Sequence, residues 1–76
     1  MIVFITRHLA NGRIAEVNRT LEGAGQTLYG HGEGSFADGS PFTMETIRAK
    51  LEDNASLEIV YPGGDLLILE RHFVAG

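Results

Sequence analysis

The chain has 76 residues, with 6 basic and 10 acidic side chains, no cysteine and a net charge of −4. That length allows a single domain, residues 1–76, with a thin core, since a chain this size buries only about 60% of the surface it exposes when unfolded. It excludes a two-lobed enzyme, the lack of cysteine excludes disulfides and thiolate metal sites, and the acidity argues against a general phosphate-backbone binder.

The charge is uneven: residues 1–22 carry +1 and the remainder −5. A solvated surface accounts for the acidic part as well as nucleic-acid mimicry does. No apolar run approaches the roughly 20 residues of a membrane span. The opening Met1-Ile-Val-Phe-Ile-Thr-Arg has neither the basic start nor the small-residue cleavage site of a signal peptide. The expectation is a soluble, cytoplasmic chain.

Residues 2–9 begin with β-branched and aromatic side chains and predict a strand. Ile2 to Ile5 is apolar on both faces, as in an inner strand covered from both sides. Asn11-Gly12 predicts a type I′ hairpin turn, whose two central positions need positive φ. In that register Arg7 faces Glu16 and Leu9 faces Ile14, an ion pair and an apolar pair that agree. The competing reading is a helix over 13–22, with Asn11 as N-cap, Ile14, Val17 and Leu21 as its stripe, and Gly23 as C-cap. The hairpin is the preferred reading.

Six of the ten glycines fall between residues 23 and 39. Gly23-Ala24-Gly25 predicts a turn, and residues 26–36 a strand with Gly30, Gly32 and Gly34 on one face. Residues 37–41, Ala-Asp-Gly-Ser-Pro, form a break. Thr43 then caps a helix over 44–53, with Glu45 in its first turn and Phe42 placed to staple onto Ile47. Met44, Ile47 and Leu51 make its sheet-facing stripe, and Asn54 is expected to end it in a left-handed conformation. Residues 57–61 and 66–74 are strands joined by Pro62-Gly63-Gly64-Asp65, with Tyr61 opposite Leu66 and Ile59 opposite Ile68. Leu66 to Leu69, apolar on both faces, marks an inner strand. The result is an α+β domain: a small, mostly antiparallel sheet in the order β-β-β-α-β-β with one helix packed on a face. Helix in place of hairpin gives the alternative order β-α-β-α-β-β.

Gly30-His31-Gly32-Glu33-Gly34 is the most unusual local feature. It lacks the third glycine of a dinucleotide fingerprint, and no Lys follows to suit a phosphate loop. His8, His31 and His72 do not have the spacing of a helical zinc site, and His31 with Glu33 makes only two ligands. Ser35 and Ser40 lie outside any strand-turn-helix elbow. Glu52-Asp53 is a solvated pair. Arg13 and Arg19 share a face on the hairpin reading whereas Arg7 points away, which weakens a phosphate patch, and no aromatic stacking motif accompanies them. No cofactor and no metal are expected.

These readings leave the surface of the domain as its working part. The expectation is a non-catalytic interaction module that docks on a larger protein, by strand addition or side-chain docking. Small acidic chains without cysteine are common among phage-encoded inhibitors of host defence, and size and charge alone suggest that this chain is such an inhibitor, with a host defence complex as its larger partner. The expected contact residues are Tyr29, Gly30, His31, Gly32, Glu33, Gly34 and Phe36, since glycines let a partner approach closely. A homodimer through the sheet edges is expected as well, few lysines or prolines being available to block them. The alternatives are a nucleic-acid-binding hairpin protein using Arg13 and Arg19, and a homo-oligomeric enzyme or ligand-binding subunit.

Overall fold

A computed structural model describes residues 1–75. The elements run β1 (Ile2–His8), β2 (Ile14–Asn18), α1 (Leu21–His31), α2 (Met44–Asp53), β3 (Ser56–Val60) and β4 (Leu66–Phe73). All three strand pairings are antiparallel, and the sheet order is β2-β1-β4-β3. The fold is α+β, with two helices carrying the chain from one edge strand to the other. Two helices fit the alternative order better than the single-helix order, although the first lies at 21–31 and residues 14–18 form a strand.

α2 has the predicted bounds for local reasons. The Thr46 N–H donates to Thr43 Oγ1 at 3.2 Å, and Glu45 occupies the first turn. Ile47 and Leu51 are buried and Met44 is half-buried against the same core. The left-handed ending at Asn54 is corrected: its φ of −134° is extended, and both its backbone N–H and its side-chain amide donate to Lys50 O at 3.0 Å. These two hydrogen bonds to the one Lys50 carbonyl end the helix without positive φ.

The strand predicted over 26–36 is a helix up to residue 31. Thr20 caps α1, its hydroxyl accepting from the Gly23 N–H at 3.0 Å, and Glu22 sits in the first turn. The buried side of α1 is made of Ala24, Gly25 and Leu28. Small residues there let the helices approach: a Cβ on Gly25 would lie 2.1 Å from Met44 Sδ. A stripe of Ala and Gly carries little hydrophobic periodicity, so the local signal for a helix was weak.

Both hairpins keep their strands but change register. The β1–β2 connection is not a type I′ turn, because only glycines among the described residues take positive φ. Gly12 does so at 70°, Asn11 Oδ1 accepts from the Arg13 N–H at 2.9 Å, and His8 N–H closes the loop on Arg13 O. Arg7 therefore lies opposite Ile14, and after a bulge Thr6 lies opposite Glu16. In the β3–β4 hairpin, Gly63 and Gly64 both take positive φ and Tyr61 N–H donates to Asp65 O at 2.9 Å. Ile59 pairs with Leu67 and Val60 with Leu66, one residue from expectation. A one-residue shift turns every β4 side chain over, so Leu67 and Leu69 face the helices in place of Leu66 and Ile68.

The core packs Ala24, Leu28, Ile47 and Leu51 of the helices on Leu57, Ile59, Leu67 and Leu69 of the sheet, together with Phe36 and Tyr61. Thr6 is the buried polar residue on that face, and its hydroxyl has no partner among the described residues. Both helices pack on this one face. The expectation that β1 and β4 are covered from both sides is therefore corrected. Their other face, with Ile5, Arg7, Ile68 and Glu70, has no layer over it among the described residues.

Candidate interaction surface

The expected contact segment wraps the C-terminal end of α1. Helix formation through His31 spreads Gly30, Gly32 and Gly34 around the chain, so they do not form one bare face. Gly32 is the C-cap at φ 140°, its N–H donating to Tyr29 O at 3.2 Å. A β-branched residue fits that conformation poorly. Gly32→Val is expected to lower stability by about 1 to 3 kcal/mol, and an unchanged thermal midpoint would count against the positive-φ cap.

The segment divides by burial. Tyr29, Gly30, His31, Gly32 and Glu33 are exposed, whereas Gly34 and Phe36 are buried. Phe36 belongs to the core, with Lys50 Nζ 5.1 Å from its ring centroid. Gly34 lies against Ile59, Tyr61 and Phe42, and Ser35 beside it bridges to Val60 in both directions. Gly34 and Phe36 therefore belong to the packing under the surface.

The exposed part rests on an aromatic bed. Tyr29 packs edge-on to Phe42 with centroids 5.0 Å apart, and His31 packs edge-on to Tyr61 at 4.6 Å. His31 Nε2 lies 3.3 Å from Asp65 Oδ2, which ties the helix end to the β3–β4 turn, and the His8 ring is 6.1 Å away. The Tyr61 phenol donates to Leu28 O at 2.8 Å, and burial pushes its pKa up to about 12, so it stays a donor. These groups hold the helix end in place while leaving the Tyr29 edge, at 40% exposure, open to solvent.

Elsewhere, an open groove of about 710 Å³ runs along α2 between Pro41, Thr46, Lys50 and Asn54. Lys50 bonds to Asp38, and that ammonium, with Ser40 beside it, holds the Asp38 carboxyl well below the usual carboxylate range. The pair is a salt bridge at the groove wall. The described residues contain no group of three His, Cys, Asp or Glu placed to hold a metal. His72 stands apart from His8 and His31, against Glu70 at 2.9 Å. Among the described residues no helix is long and apolar enough to cross a membrane.

The surface that sequence reasoning missed is the uncovered sheet face. Its signal was present, because Leu66 to Leu69 and Ile2 to Ile5 are apolar on both faces while the elements available cover only one. Arg7 does not meet Glu16. Its Nε donates to Glu70 Oε1 at 2.8 Å across β1 and β4. Comparison of the chain with protein-family models, curated proteins and solved structures gives no match.

Proposed function

We propose that this chain is a non-catalytic interaction module that docks on a larger protein through the end of α1. The observation that carries the reading is Gly30 beside the exposed Tyr29. Gly30 lies in the last turn of α1, where glycine is still a poorer helix former than Ala. Yet a Cβ built on it meets nothing within 4 Å, so neither packing nor positive φ within this chain calls for a glycine there. A bare backbone next to a firmly seated aromatic ring is a surface on which another protein lies flat, with the ring as anchor. Occupying a partner's surface in this way is also how a small inhibitor of a larger complex acts.

The test is Gly30→Arg. The side chain has open space, favours helix and suits the helix C-terminus, so the melting temperature should hold or rise. The expected result is that proteins recovered with the wild-type chain from its native host are lost with this variant. Recovery of the same proteins at the same yield by both chains would overturn the reading.

A further inference from the structure

We infer that the open face of the sheet closes against a second copy of this chain, giving a two-fold dimer with sheets stacked at its centre and helices outside. This face is separate from the end of α1, so both surfaces can be occupied at once.

The face follows from the strand register. Ile5 lies opposite both Val17 and Glu70, and Arg7 lies opposite both Ile14 and Ile68, all turned away from the helices. Ile14 is 51% and Val17 53% exposed, and Ile5, Leu66 and Ile68 are only half-buried. Apolar side chains grouped in this way around the central Arg7–Glu70 pair, with Ser56 and Glu58 along the β3 edge, make a sheet face that a second layer can cover.

Charge selects the occupant. The chain carries −4, yet the middle of this face is neutral, with Arg7 and Glu70 bound to each other on the two central strands. The Arg7 guanidinium first, and His72 second, hold the Glu70 carboxyl below its ordinary range, so the pair remains charged. A strongly charged partner finds no complement here. A second copy does, because a two-fold axis through the pair lays the arginine of each copy on the glutamate of the other. Each of these two central charges is then shared between two partners, while the exposed Glu58, opposite Ile68 on the edge strand β3, lies at the rim. Such a face is complementary to itself.

The sheet edges are poorer candidates than the sequence suggested. β2 is five residues long and bulged, and Val60 at the end of β3 already exchanges two backbone hydrogen bonds with Ser35. A face four strands wide, with strands of five to eight residues, lies toward the small end of stable interfaces, which cover about 800 Å² per partner. Association in the micromolar range is the expectation.

Sedimentation of the full chain from low to high micromolar concentration tests this. The wild-type species should move from 8.2 kDa to twice that mass. Arg7→Glu and Glu70→Arg should each weaken self-association by about 100-fold or more, the effect of like charges meeting in an interface. An equimolar mixture of the two variants should recover a dimer, because a doubly acidic face then meets a doubly basic one. A wild-type chain that stays at 8.2 kDa throughout overturns the inference, as does a mixture of folded variants that does not associate. If either charge reversal fails to fold, Val17→Asp replaces it, since Val17 is outside the core. Loss of the dimer with an unchanged melting curve supports the inference, and a dimer that survives overturns it. Gly30→Arg should leave the dimer intact, so failure here and failure of the docking reading are told apart.

Discussion

Replacing Ile47 with Ala is expected to destabilise the fold by about 2 to 5 kcal/mol, the usual result of truncating a buried aliphatic side chain. Ile47 is fully buried in the second turn of α2, in one cluster with Leu28, Ile59 and Leu69. It belongs to both the helix stripe and the only face of the sheet that the helices cover. The cavity would therefore open between the two layers, where neither can collapse without moving the other. In a domain of this size each kcal/mol shifts the melting midpoint by roughly 4 to 8 °C, so a fall of about 10 °C or more is expected. A midpoint that hardly moves would mean that α2 does not sit on the sheet as described.

Gly34→Ala is expected to destabilise by about 1 to 3 kcal/mol, as overpacking of a filled core does. The sign is informative, because Gly to Ala at an unstrained open position stabilises by about 0.4 to 1 kcal/mol. The added Cβ would lie 2.5 Å from Ile59 Cγ2, 3.1 Å from Tyr61 Cε1 and 3.2 Å from Phe42 Cζ. Ile59 is fully buried and β-branched, so its methyl has little freedom to turn aside in a close-packed interior. The alternative is retreat of the backbone at 34, which pulls apart the Ser35–Val60 bridge at 2.8 and 2.9 Å. Thermal or urea unfolding measures the change, and a variant more stable than wild type would refute the close approach. Gly30→Arg, four residues earlier, is expected to have the opposite effect on stability. Two glycines of one run thus have different causes: one makes room for a neighbour inside the fold, and the other faces open space.

The exposure of the glycine-rich run was legible only in part. Tyr29 through Glu33 stand exposed where the glycine-rich run suggested a contact region, while Gly34 and Phe36 of the same run are packed inside. Alternation along a presumed strand placed the three glycines on one face, and helix geometry through residue 31 removed that face. The uncovered sheet face followed from arithmetic that local pattern does not perform, namely how many elements are available to cover two sides.

Residues acting on near neighbours made α2 readable from sequence alone. The Thr43 hydroxyl reaches a backbone N–H three residues on, and Ile47 and Leu51 repeat at helical spacing, so cap and stripe lie within one short stretch of chain. The four strands were readable for the same reason, because β-branched runs bounded by glycines carry their own signal. Tertiary structure alone decided the rest. α1 is helical because Ala24, Gly25 and Leu28 fit against α2 and the sheet, a gain that exists only once those partners are in place. The registers depended on which glycines accept positive φ, and a shift of one residue in β3–β4 exchanged Leu66 and Ile68 for Leu67 and Leu69 as core. Strands apolar on both sides favour neither face by themselves. Both helices crossing on the same side of the sheet made one face the core and left the other open.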